Sequence, residues 1–276
     1  MTWHARLDLD YRMEAGRCVA RFEHDGPLRI LQSLYPEDEG ICHNVIIHPP
    51  GGLVGGDTLE INVRVRESAH ALITTPGATR FYRSEGETAL QTTRIQLDAG
   101  ARAEWLPLEA ICFNGCVAEN RLRMELAPGS ELMGWDVTAL GLPEAGLPFD
   151  RGHLLQHLEL PGHWLERGRI DSGDRRLLDG PLGLAGRRCL ATLLLVAGAD
   201  FTRLRRDQAL ALARDVIETD QLAPTAGATA PGSRVIAVRV LAPLVEPALA
   251  LLKAVHAAWR CSLWYLPATV PRSWAQ

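Results

Sequence analysis

Long apolar runs, paired cysteine motifs, catalytic signatures and an excess of positive charge are all missing from this 276-residue sequence. Each absence removes a class of function. No stretch reaches the roughly 18 apolar residues of a membrane span, and the longest, 190–199, is interrupted by Thr192 and Gly198. The formal net charge of −4 gives no basic face for nucleic acid. Six cysteines, at 18, 42, 112, 116, 189 and 261, never fall into CxxC spacing. The first residues carry no apolar stretch behind a basic head, so no secretory leader is expected. The thiols are then expected to be free, in a reducing cytoplasm. Neither GxSxG nor HExxH occurs, Ser84 and Ser262 have no partnered His and Asp, and Glu37, Asp38 and Glu39 form a solvated acidic run. Nothing recommends an enzyme.

What is present is a chain able to bury a large core, 47% apolar and 22% charged, with 25 glycines and 17 prolines that suit many short strands joined by turns. In 58–65, Leu59, Ile61, Val63 and Val65 share one face of a strand while Glu60, Asn62 and Arg64 take the other. Segments 18–22, 28–34, 44–47, 69–74, 90–97, 101–106, 121–126, 132–137, 153–160 and 164–170 read as further strands. Turns such as Asp98-Ala-Gly100, Ala127-Pro-Gly129 and Pro161-Gly162 separate them. Strands at short spacing without helices between them point to a mainly β fold with antiparallel-rich sheets. Apolar residues at helical spacing predict two α-helices near the C-terminus, over 204–217 and 243–263. A loop at 225–232 and a strand at 235–240 lie between them. Residues 1–276 read as one domain, a β-rich body to 200 and a helical addition over 201–276.

Two segments are chemically dense. His48-Pro-Pro-Gly-Gly-Leu-Val-Gly-Gly-Asp57 can be neither regular helix nor strand and specifies a tightly turning loop. It lacks the Lys-Ser/Thr of a P-loop, and a strand rather than a helix follows it. Thr74-Thr-Pro-Gly-Ala-Thr-Arg-Phe-Tyr-Arg-Ser84 offers hydroxyls, arginines and aromatics together, a mixture suited to an interface or to an ordinary turn. For metal, Cys42, His43 and His48 form the most suggestive set. Cys112 with Cys116 lacks a second pair, and His153 with His157 lie about 13 Å apart if the segment is a strand.

These segments resemble the urease accessory protein family UreD, called UreH in some organisms. Glu104-Trp-Leu-Pro-Leu-Glu-Ala-Ile-Cys-Phe113, Trp135-Asp136 leading to Leu140-Gly141, Trp259-Arg260 and Pro271-Arg-Ser-Trp274 agree with it in order and spacing, so the resemblance spans nearly the whole chain. Some positions depart. Arg80 stands where the family commonly has Lys, Leu142 and Leu147 where it commonly has Arg and Glu, and Ser273 where it has Ile. The resemblance implies a helix-like stack of β-sheets with two late helices. It also implies a non-catalytic role in delivering nickel to apo-urease together with UreF and the GTPase UreG, and it allows a dimer within the accessory complex. No tightly bound cofactor is expected, only nickel in transit, and neither nucleic acid nor membrane is an expected partner.

The resemblance further implies a guarded passage for the ion. Asp57, Asp136 and Glu166, carboxylates in otherwise apolar or turn-rich segments, are the candidate lining residues; salt bridges or turn caps are the other account of them. Sparse carboxylates and water suit a conduit, because they hold a divalent ion loosely enough to release it. Rival readings are a carbohydrate-binding β-sandwich using Trp105 and Trp135 as platforms, an unrecognised hydrolase, and a nickel store with tight histidine sites.

Overall fold

Alternation of apolar and polar residues dictates the architecture, because nearly every strand has one face to bury. A computed structural model describes residues 2–274; Met1, Ala275 and Gln276 lie outside it. In chain order the elements are β1 (His4–Glu14), β2 (Arg17–Asp25), β3 (Arg29–Leu34), β4 (Ile41–Ile47), β5 (Thr58–Val65), β6 (His70–Thr74), β7 (Thr79–Phe81), β8 (Ala89–Leu97), β9 (Arg102–Leu106), β10 (Ala110–Cys112), β11 (Cys116–Leu126), β12 (Glu131–Leu140), β13 (Gly152–Leu160) and β14 (Trp164–Asp171). The short helix α1 (Arg175–Asp179), β15 (Cys189–Ala197), α2 (Arg203–Glu218), β16 (Ala226–Gly232), β17 (Val235–Ala242) and α3 (Val245–Leu263) complete the fold.

Two sheets result. Sheet A runs β14-β13-β11-β8-β5-β1-β2, and sheet B runs β16-β17-β15-β12-β9-β6-β4-β3, with β10 and β7 attached beside β12. From β4 to β13 the chain alternates between them: β4, β6, β9 and β12 go to sheet B, and β5, β8, β11 and β13 to sheet A. The mainly β, helix-like stack with helices near the C-terminus is therefore present. Its pairing differs from the antiparallel-rich expectation. Antiparallel ladders occur at the ends, in β1–β2, β3–β4, β13–β14 and β12–β15–β17–β16, whereas the coil interior is parallel. Short connections mislead here because consecutive strands do not pair with each other. The strand in the opposite sheet acts as the crossover that parallel neighbours require.

Two apolar cores follow. Leu7, Leu59, Ile61, Ile95, Leu122 and Leu154 fill the space between the sheets. On the far side of sheet B, Trp135, Leu193, Ile236, Leu252 and Trp259 pack under α2 and α3. β15 is thus covered on both faces, which explains why its residues are apolar on both faces apart from Thr192. Trp259 Nε1 donates to Ala209 O at 2.8 Å and ties α3 to α2. The two long helices fall where helical spacing places them, while α1 is an addition. Segment 226–232, expected as loop, is the edge strand β16. Pro231 lies at a register shift, where the missing N–H costs no ladder bond. No helix among the described residues is long and apolar enough to cross a membrane.

Candidate functional site

The two dense loops of the sequence form one unit. Leu53 N donates to Arg80 O at 2.7 Å, and Tyr82 N donates to Leu53 O at 2.8 Å, splicing the glycine-rich loop onto β7. A Cβ at Gly52 would fall on the Tyr82 ring and one at Gly55 on Ser84, so these glycines serve close packing. Asp57 closes the loop. Its carboxylate accepts from Val54 N at 2.9 Å and Trp3 N at 3.2 Å, and only 1% of the residue is exposed. The turn-cap reading of Asp57 is therefore the geometry found.

Behind this unit, between the sheets, lies a cavity of about 200 Å3. Its lining includes His48 and Gly51 from the first loop, Thr75 to Arg80 from the second, and Gln91, Trp105 and Pro107. A smaller space of about 20 Å3 shares Thr79, Gln91, Trp105 and Pro107 and reaches Thr93, Asn120 and Asp136. It has room for about one water. Asp136 accepts from Asn120 Nδ2 at 2.7 Å, Thr138 Oγ1 at 3.3 Å and Gln156 Nε2. Burial pushes its carboxyl up to about 6, and the negative charge of Glu166 adds to the rise against these donors.

The amides are in register: Gln91 on β8, Asn120 on β11 and Gln156 on β13 are direct neighbours across sheet A. Gln91 Nε2 also donates to Asn120 Oδ1 at 3.4 Å. Glu166 lies on β14 at the edge of sheet A and pairs with Arg239 of β17, both partly exposed. Glu166 lines neither space but acts on Asp136 through its charge, and Asp57 braces the loop beside the larger cavity. Sequence reasoning missed Gln91, Asn120, Gln156 and Arg239. The signal for the amides was an amide at an otherwise apolar inward position on each of three strands.

Cys112 and Cys116 bring their thiols into hydrogen-bond contact, whereas Cys42, His43 and His48 do not converge. Cys42 and His43 are successive on β4 and point to opposite faces. Cys42 Sγ reaches Asn44 Oδ1 at 3.6 Å, His43 meets Glu37 at 2.8 Å, and His48 packs on Trp3. Among the described residues no group of three or more His, Cys, Asp or Glu is arranged to hold a metal. Trp105 and Trp135 are 5% and 1% exposed and offer no sugar platform. A larger concavity of about 720 Å3 on the outer face of sheet A is lined by charges matched to each other, including Arg6 with Asp8 and Arg12 with Asp10. Leu142 and Leu147, the two adjacent departures from the family pattern, face each other across a small loop: Leu142 N donates to Leu147 O at 2.7 Å and Leu147 N to Leu142 O at 3.1 Å.

A second buried carboxylate cluster lies on the opposite face of sheet B. Glu104, on β9, is fully buried and meets His70 at 2.9 Å, His256 at 2.7 Å and Arg260 Nε at 3.1 Å. Arg260 also grips both Glu37 oxygens at 2.7 Å and donates to Pro267 O. Burial alone would raise both carboxyls. Hydrogen bonds and charge from His256 and His70 hold Glu104 well below its ordinary value, and those from His43 and Arg260 hold Glu37 below it.

The model of a family described as "UreD urease accessory protein" matches residues 4–275. The chain belongs to the UreD family. It is 64% identical over 275 residues to the urease accessory protein UreD of Variovorax paradoxus and, at the same identity, to that of Polaromonas naphthalenivorans, each match covering the whole of both chains. The UreD protein of Methylibium petroleiphilum is 47% identical over 294 residues, with 99% of each chain covered. The stacked sheets and late helices described above are thus the fold of a UreD-family chain.

Proposed function

We propose that the chain is a non-catalytic scaffold and conduit for urease maturation, acting in the cytoplasm with UreF and UreG on apo-urease. Nickel is its cargo. The observation that supports this reading best is the pair of polar spaces that runs from the loop unit to Asp136, with the charge of Glu166 acting on that carboxylate, in an interior otherwise filled by apolar side chains. The donors to Asp136 are neutral, so its negative charge has no cation of its own. A divalent ion arriving there competes with three hydrogen-bond donors for two oxygens, which keeps its hold weak and its release fast. Glu166 lies at the sheet edge, where Arg239 must be displaced before the carboxylate can meet an ion. Asp57 acts one step removed, by keeping the loop in shape.

Co-expression of the tagged chain with the cognate urease subunits, UreF and UreG tests the reading. The expected outcome is co-purification of the subunits and nickel-dependent urease activity that requires the chain. Equal activation in its absence, with nothing co-purifying, would refute the role.

A further inference from the structure

Away from the passage, a groove opens at one end of sheet B, where β10, the 141–149 loop and the first turn of α3 meet. It encloses about 370 Å3, and its apolar lining includes Ile111, Ala139, Leu142, Pro143, Leu244 and Val245. Helices usually begin with a Ser, Thr, Asp or Asn whose side chain caps the first amides. Here α3 begins at Leu244, which has no side-chain cap and stands 38% exposed. Leu147, opposite Leu142, is 49% exposed, so backbone hydrogen bonds and not burial hold this apolar pair at the surface.

The rim is acidic. Glu109, Glu144 and Glu246 stand around the groove, and none of them has an ion-pair partner among the described residues. Arg188, the basic residue of the lining, is engaged by Asp179 at 2.7 Å. Lys253, further along α3, lies over the Trp274 ring at 4.6 Å. Burial, with the fields of Glu109 and Glu246 added, pushes the Cys189 thiol in the groove wall up to about 12. An apolar floor beneath unpaired carboxylates favours one kind of occupant: apolar side chains to fill the groove, with positive charge beside them to meet the rim. An acidic segment would meet like charge, and a wholly polar one would leave the floor unfilled.

We propose that this groove docks a partner-protein segment whose apolar side chains are flanked by lysine or arginine, and that the partner is a component of the urease assembly. The inference rests on the maturation reading above. Its test is the full chain co-expressed with the urease subunits, UreF and UreG, with the photocrosslinker p-benzoylphenylalanine installed at position 147. The crosslinked peptide is expected to come from one of those components and to carry Lys or Arg within about four residues of its apolar anchors. The double variant Leu142→Asp/Leu244→Asp is expected to lower co-purification about tenfold or more, as loss of a central apolar anchor does. Its melting curve should stay unchanged. Glu109→Lys/Glu246→Lys, which leaves the apolar floor intact, should weaken retention and remove its sensitivity to salt.

A crosslink to a second copy of this chain, or to a segment without basic residues, would overturn the proposal. So would retention by both variants equal to that of the unaltered chain. If the unaltered chain itself fails to assemble, the maturation reading falls and takes the groove with it; failure of the groove alone shows as full assembly by every variant.

Discussion

Glu104 and Asp136 sit on neighbouring strands of one sheet, yet they occupy opposite electrostatic situations. Glu104 faces the helices, where Arg260 and two histidines surround it, and its carboxyl is held well below the ordinary value. Asp136 faces the space between the sheets, where its donors are two amides and a hydroxyl and the charge that acts on it is that of another carboxylate, Glu166. Burial disfavours both charges; only Glu104 has a cation in reach to offset it. The first site is a finished ion-pair network that fastens α3 and the tail to the β-body. The second retains unmatched negative charge beside a space of about 20 Å3, which suits a group that meets a cation in passing.

The strongest way to break this contrast is Arg260→Leu. It strands Glu37 and Glu104 without their guanidinium and should cost about 3–5 kcal/mol in urea unfolding. Acid acts on the same network more gradually. The depressed values of Glu37 and Glu104 mean that their stabilisation is complete above the ordinary value of 4.5 and is lost as pH falls through their lower folded values. Asp136 works in the opposite sense. Its folded value of about 6 lies above the ordinary 3.8, so its share of stability rises as pH falls through that window. Unfolding midpoints followed from about pH 7 to about pH 4 should show the rise in the unaltered chain and lose it in Asp136→Asn.

That same variant sharpens the functional side. The neutral side chain keeps the size of Asp136, and the neighbouring amides can turn to accept or donate, so the fold should be kept, with stability at pH 7 raised by removal of the buried charge. Nickel-dependent activation of co-expressed urease should nevertheless drop about tenfold or more. Normal activation with Asp136→Asn would remove this carboxylate from the route. Glu166→Gln is the mildest change. A partly exposed ion pair with Arg239 contributes about 0–1 kcal/mol, so a small loss of stability is expected, together with a partial loss of activation.

Much of the fold was legible in local pattern. Leu59, Ile61, Val63 and Val65 face inward as their alternation requires, and α2 and α3 lie where apolar spacing places them. Strand partners were not legible, because spacing between strands says nothing about whether the next strand joins the same sheet. β16 escaped for another reason: its Ala, Gly and Pro residues have low strand propensity, and pairing with β17 overrides it. In the candidate site, three carboxylates looked alike in the sequence. Only the structure separates Asp57, whose oxygens are taken by backbone amides, from Glu166, which is paired with Arg239, and from Asp136, which has neutral donors alone.

By itself the sequence determined which residues turn inward, where the helices form, which loops are too rich in glycine to be regular, and the family to which they belong. The first three are consequences of side-chain period and backbone freedom, both local properties; the family shows in the order and spacing of motifs. The tertiary structure alone decided that Gln91, Asn120 and Gln156 align beside Asp136, and that Glu37, Glu104 and Arg260 meet across 223 residues of chain. Register between strands and the direction of a buried charge depend on which distant segments come together. Whether a buried carboxylate is neutralised or left unmatched is set at that level and at no earlier one.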